Sequence, residues 1–482
     1  MENQTIKELT SFIKNSPTAF HAVKSIRDIL TKEGFQELKE SEKWKIEKGG
    51  KYYVTRNHSS ILAFKVGNQL DEYSFHVTAS HSDSPTFKIK ENAEIEVKKK
   101  YTVLNTEGYG GMICSTWFDR PLSVAGRVIV KTDSGMETRL VKVERDLLMI
   151  PSLAIHMDRA VNEGRAINKQ VDMLPVFAGS AKEPGEMKKL IAEEIGVEEE
   201  KIYGMDLFLY NRMEPSVWGR ENEFLSCPQL DDLQCAFASL NGFLAGENAK
   251  NINVFACFDN EEVGSGTKQG AASTLLSDVL WRINKALGKD EEDFYRAVAG
   301  SFMLSCDNAH AVHPNYQQKT DVNNCNYMNE GIVIKSHAGQ KYTSDAVSIA
   351  IFKAICEKAG VPVQFFANRS DAAGGSTLGN IAMAQVSMNT VDIGLPQLAM
   401  HSAYETSGVK DTGYLIEASK EFYRFFCTFT LGKLQHDNSK CSQHYRCDHI
   451  HCKGKWIFVI HSHYTTDQCH KKHHPPKKYA IF

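Results

Sequence analysis

The sequence has no stretch approaching the roughly 20 apolar residues that a membrane-spanning helix needs, and so no sign of a helical membrane protein. Charge of one sign is also lacking. Its 56 Lys and Arg against 59 Asp and Glu leave a net charge of -3, which gives no reason to expect nucleic acid or an acidic membrane surface as a partner. Neither a basic leader nor an apolar segment occurs in "MENQTIKELTSFIKNSPTAF", and the expected location is the cytoplasm. No paired CxxC motifs spaced for a structural zinc appear. Up to Cys427 the cysteines lie singly in apolar surroundings such as "VFACFDN" and "MLSCDNA", which suits reduced, buried thiols better than a disulfide framework. What the 482 residues do have is a 42% hydrophobic content, ordinary for a soluble globular protein and enough for two or three domains.

From Lys433 the periodicity disappears, and histidines and cysteines crowd irregularly to the C-terminus. Their spacing argues against a closed tetrahedral site. Residues 433–482 are expected to be a disordered or non-native tail outside the fold.

Before it, residues 5–39 read as two amphipathic helices around "NSPTAFHA", with Ser16 as N-cap and Pro17 in the first turn. "KYYVTR", "SILAFKVG" and "EYSFHVTAS" are short apolar runs separated by turns, the signal of strands in a sheet. Between about Asn92 and Glu223 the pattern becomes β-rich, with one charged helix near "EMKKLIAEEIG". Strands and helices then alternate again through "NINVFACFDNEE" and "SFMLSCDNAHA". The expected fold class is α/β: a sheet covered by helices, formed by residues 1–91 and 224–432 and interrupted by a mostly β insert, 92–223.

Polar clusters follow the apolar runs. In "VTASHSDSP", His81 and Asp83 are two apart and share a face of an extended strand, at the end where ligands of α/β sheets bind. A surface histidine beside a turn aspartate would account for that stretch alone. In "FDNEEVGSG", Glu261 and Glu262 diverge, so that one can hold a cation while the other takes a proton from water. Asp231 and Asp232 open a helix in "CPQLDDLQCAF", Asp307 follows a strand in "SCDNAHAVHPNY", and His401 lies in "LAMHSAYETSG". Caps or a core imidazole explain some of these singly. Five such clusters at strand ends converge in space, and two histidines with three carboxylates suit divalent zinc, with a shared carboxylate able to bridge two ions. Hydrolysis is the reaction class this implies.

The combination "HSDSP", "LDDL", "DNEEVGS", "DNAHAVHPNY", "GIVIK", "QKYTSDA" and "QLAMHS" resembles the aspartyl aminopeptidase family of dinuclear zinc exopeptidases over nearly all of residues 1–430. The resemblance implies two zinc ions, with His81 and Asp307 on a different ion from Glu262 and His401 and with Asp231 bridging; manganese or cobalt also suits such ligands. It makes Asp83 a partner of the His81 ring, hydrogen-bonded to fix its tautomer. Glu261 becomes the general base for a water bridging the ions, and Lys335 the partner of an acidic substrate side chain. His156, in "IPSLAIHMDRAVNEG", would reach a neighbouring subunit's site and donate to the oxyanion. The insert is then the assembly domain of at least a dimer, in the family a dodecamer. "LDDL" departs from the family by placing Asp232 where an amide is usual. In "NRSDAAGGSTLGN", Asp371 matches a family loop near the substrate amine, although a cap at Ser376 or Thr377 explains the stretch.

The implied activity is release of N-terminal Asp or Glu from peptides. A metallo-carboxypeptidase or deacylase could use the same ligands, and a catalytically silent assembly or cargo shell on this fold is the reading from another class.

Overall fold

The computed structural model describes residues 2–425 and the backbone of two further strands, Gln443–Cys452 and Lys455–Tyr464. Those two pair antiparallel as a hairpin, a unit separate from residues 1–425. The rest of the histidine-rich stretch, and the disorder expected for it, lie outside the described residues.

A nine-stranded sheet forms the base of the larger unit. Its order is Gln36–Glu37, Lys51–Arg56, Ser60–Val66, Ile252–Phe258, Phe75–His81, Phe302–Cys306, Asn389–Gly394, Ile332–Ser336 and Val363–Ala367. Four central strands, Ile252–Phe258, Phe75–His81, Phe302–Cys306 and Asn389–Gly394, run parallel. Parallel strands are covered on both faces, which is why "INVFACF" is apolar except at Asn253 and buried at every position. Alternation divides the faces. Phe75, Val77 and Ala79 join Val254, Ala256 and Phe258 in a core with Leu275, Leu276 and Val279 of the helix Leu275–Ala286. On the other face Thr78 bonds the Tyr423 hydroxyl at 2.6 Å and His76 stacks on Phe422, both from the helix Asp411–Arg424. Phe255 faces Phe243 of the helix Leu230–Ala245, and truncating such a buried ring to Ala costs about 3–5 kcal/mol. Because the central strands are parallel, their C-terminal ends share one edge.

A six-stranded antiparallel sheet uses residues 86–211, in the order Gly135–Lys142, Leu122–Thr132, Ile202–Asn211, Thr86–Val97, Tyr101–Tyr109 and Val176–Ala178. It has its own core around Phe87, Leu104, Val124 and Leu207, with Ile191 from the helix Glu186–Ile195. Its first strand begins at Thr86, ahead of the expected start at residue 92. Ser216–Trp218, inside the expected insert, instead joins Phe224–Cys227, Glu405–Gly408, Pro396–Leu398 and Ala309–His310 in a third sheet.

One local expectation is corrected. The helices are Glu2–Lys14 and Ala19–Lys32, and Thr18, not Ser16, is the N-cap residue of the second. The Ser16 N–H still bonds the Ile13 carbonyl at 2.9 Å, closing the preceding helix, so Pro17 falls in the connection rather than in the first turn. No helix among the described residues is long and apolar enough to cross a membrane.

Candidate metal centre

The shared strand edge gathers the polar clusters. His81 ends the strand Phe75–His81, Asp307 directly follows Cys306, and Glu261 and Glu262 form a short turn after Phe258, entered through Asn260 in the left-handed region at φ 63°. Asp231 opens the helix Leu230–Ala245 in a non-helical conformation, joined to Asp232 by a cis peptide bond. His401 lies between Pro396–Leu398 and Glu405–Gly408.

His81 Nε2 is 3.5 Å from Asp231 Oδ1 and 3.9 Å from Asp307 Oδ1. His401 Nε2 is 3.4 Å from Asp231 Oδ2 and 3.3 Å from Glu262 Oε2. Ligand atoms about 2.0–2.1 Å from a tetrahedral ion are roughly 3.3 Å apart, so these separations suit donors facing a common cation. Two donor sets result, His81 with Asp231, Asp232 and Asp307, and Asp231 with Glu262 and His401; His81, Glu261 and Glu262 form a further close group.

Electrostatics favours a cation here. Asp231 Oδ1, Asp232 Oδ1 and Glu262 Oε1 are buried without a hydrogen-bond partner, a cost a polar atom incurs only for a reason. Burial, then the Asp231 carboxylate, pushes Glu262 well above the carboxylate range, and burial with Asp307 and Asp231 does the same to Asp232. At His401 burial opposes the charge, but the Asp231 carboxylate wins and holds the imidazole at about 9. Left alone, the cluster must hold protons that a metal site would release, since ligating carboxylates are ionised and ligating imidazoles neutral.

Both imidazoles present Nε2 to the cluster and tie Nδ1 to a backbone carbonyl: His81 to Asp83 O at 3.0 Å and His401 to Gly111 O at 2.6 Å. Such bonds fix the tautomer. Asp83 thus orients His81, but its main-chain carbonyl is the nearer acceptor, and its carboxylate oxygen is 3.5 Å away. That carboxylate instead accepts the N–H groups of Glu261 at 3.1 Å and Glu262 at 3.2 Å, and the Tyr109 hydroxyl at 2.6 Å. Approach is close: a Cβ at Gly110 would meet the Glu262 Cβ at 3.1 Å, and Gly110 has φ 77°. Burial raises Glu261 to about 7, near where a general base works best.

Lys335, in the strand Ile332–Ser336, is buried, with its ammonium 2.8 Å from Asn308 O and 3.4 Å from Asp307 Oδ2. Burial alone would depress it; Asp307 overturns that and keeps it protonated. His156 lies on an exposed loop and is not among the grouped donors. Asp371 pairs with Arg369 at 2.7 Å, and Thr377, though at an N-cap position, spends its hydroxyl on Asp392 rather than on a cap.

Two contributors carry no distinctive signal in the sequence. Glu405 is buried and accepts the N–H of Asp231 at 2.9 Å and of His401 at 2.7 Å. Tyr109 reaches the cluster from the six-stranded sheet. Asp232, in the sequence one of two aspartates opening a helix and a departure from the family, faces inward and accepts the His81 N–H at 3.1 Å.

A parallel-sheet edge carrying paired imidazole and carboxylate donor sets, with a further carboxylate beside them, defines a metal-dependent hydrolase. The family profile described as Aminopeptidase I zinc metalloprotease (M18) matches residues 12–423. A probable M18 family aminopeptidase 2 of Clostridium novyi (strain NT) is 51% identical over 422 residues, covering 86% of this chain and 98% of the relative. Among solved structures, one from a cryo-EM complex of Ape4 and Nbr1 superposes with TM-score 0.84 at 32% identity, covering 96% of this chain and 98% of that one. The S. cerevisiae mApe1 dodecamer gives TM-score 0.77 at 27% identity over 88% and 97%. The chain belongs to the M18 family of zinc metallo-aminopeptidases.

Proposed function

We propose that this aminopeptidase removes N-terminal Asp or Glu from peptides, using two divalent ions, one held by His81, Asp307 and Asp231 and the other by Asp231, Glu262 and His401. The observation that carries this reading is the division of Asp231, whose two oxygens face His81 and His401 separately. Zinc, when bound, supplies Lewis acidity, polarising the scissile carbonyl and making water acidic enough to attack at neutral pH.

The chain's own groups do the rest. Glu261, raised to about 7, takes the proton of the attacking water and returns it to the leaving amine, a role typically worth 10²–10⁴ in rate. Asp83 holds the main chain of Glu261 and Glu262, so base and ligand move together. Lys335 supplies a buried cation beside the Asp307 donor, which favours an anionic substrate side chain by charge.

His156 would complete the site of a neighbouring copy by donating to the oxyanion. Its loop exposes Leu153, Ile155 and Met157, apolar groups suited to an interface in at least a dimer, with a dodecamer as in mApe1 the expected assembly. The free cysteines of the described residues, five of them buried, suit a reducing cytoplasm. Turnover of Asp-, Glu- and Leu-linked chromogenic substrates, with and without chelator, tests the reading: activity indifferent to chelation rejects the mechanism, and preference for Leu rejects the acidic specificity.

A further inference from the structure

We propose that Tyr109 is a positioning residue for the general base, through which the six-stranded sheet sets the turn that carries Glu261. This rests on the reading of Glu261 as the base.

Tyr109 ends the strand Tyr101–Tyr109, and its ring meets Phe208 of the neighbouring Ile202–Asn211 strand edge-on at 5.8 Å. Its hydroxyl leaves that sheet and enters the metal centre. There it donates to Asp83 Oδ2 at 2.6 Å and accepts from Asn260 Nδ2 at 2.8 Å. Among the described residues it is the one side chain bonded to both.

Each partner controls one end of the base. Asp83 Oδ1 receives the Glu261 N–H at 3.1 Å, and Oδ2 the Glu262 N–H at 3.2 Å. Asn260, whose left-handed backbone aims the turn, spends its side-chain oxygen on Thr267 at 2.9 Å and Gln269 at 2.8 Å, leaving Nδ2 for Tyr109. Removing the hydroxyl therefore takes from Asp83 its shortest bond and from Asn260 its acceptor. No side chain that faces the donor sets is altered. Glu261 keeps its carboxylate but loses the brace on both flanks of its main chain, and a misplacement of about 1 Å in a reacting group costs up to roughly 10²-fold in rate. A cavity of about 260 Å³ lined by Tyr109, Asp83, Asp259 and Asn260 gives water access to the gap, which offsets part of the loss.

The experiment compares Tyr109→Phe with Phe208→Leu, which removes the aromatic contact and keeps the hydroxyl, in the full-length enzyme. Tyr109→Phe is expected to lower kcat about tenfold with KM within about twofold and the zinc-to-chain ratio unchanged. Phe208→Leu is expected to lower Tm while kcat stays within about twofold. An unchanged kcat in Tyr109→Phe, a kcat loss matched by zinc loss, equal kcat losses in both variants, or failure of Tyr109→Phe to fold would each overturn the proposal, the last because a hydroxyl needed for folding is structural. Glu261→Gln is assayed alongside: if it keeps turning over, the assignment of the base fails, whereas an inactive Glu261→Gln beside a normal Tyr109→Phe removes only the role of Tyr109.

Discussion

Glu405 accepts the backbone N–H of Asp231 at 2.9 Å, so a buried carboxylate fixes the main chain of the residue that both donor sets share. Its other oxygen accepts the N–H of His401, which stands at φ 66°. Supporting groups of this kind typically control 10–100-fold in metal affinity. Glu405→Gln is expected to weaken zinc retention by that factor, read by competition against a chromogenic chelator. Unchanged retention would show that the fold alone holds Asp231 and His401.

Glu261→Gln should lower kcat by about 10²–10⁴ while the zinc content of the purified enzyme stays the same. Metal analysis beside the turnover assay separates a lost base from a lost ligand.

For Lys335→Met, the ratio of kcat/KM for Asp-linked over Leu-linked substrates should fall by at least about tenfold, because the buried cation is gone and a neutral chain of similar length remains. A ratio that holds while both rates fall equally would assign Lys335 to Asp307 alone.

Removing the metal should abolish activity and lower Tm, because the buried carboxylates of Asp231, Asp232 and Glu262 must then be balanced by bound protons instead of a divalent cation that binds the folded chain. Calorimetry of chelated and zinc-restored enzyme reads this directly.

Two buried histidines should each make the fold more sensitive to acid before the usual carboxylate range is reached. Burial holds His21 and His76 at about 4, below the unfolded value near 6.5. The unfolded chain therefore binds these protons first. Their contribution is intact above about 6.5 and is lost as the pH falls toward 4, by roughly 3 kcal/mol for each group. His76→Gln should flatten the decline of Tm over that window.

Much of the centre could be read from the chain because apolar runs such as "NINVFACF" announce buried parallel strands, and the first polar residues after them fall on one edge. The sequence pairs Asp83 with the His81 ring, yet the closer acceptor is its carbonyl, a distinction that side-chain chemistry does not encode. Glu405 and Tyr109 are not legible in the sequence because one acts on backbone N–H groups and the other arrives from a different sheet; neither residue type is distinctive by itself. The proline after it suggests a cap at Ser16, whereas the Ser16 N–H closes the helix before. His156 stands on an exposed loop outside the grouped donors, and the role proposed for it rests on a second copy of the chain.

Only residues 82–85 separate the strand that ends in His81 from the first strand of the six-stranded sheet. Two of those four are themselves anchored, Ser82 to Ser59 O and Ser84 to Asp231 O, each at 2.7 Å. The joint has no slack. A tilt of the smaller sheet is transmitted as leverage onto an imidazole, and a gene rearrangement that excised residues 86–211 would have to respan the gap without twisting that imidazole out of aim. Shedding the smaller sheet and keeping the chemistry are therefore opposed by the wiring of the chain itself.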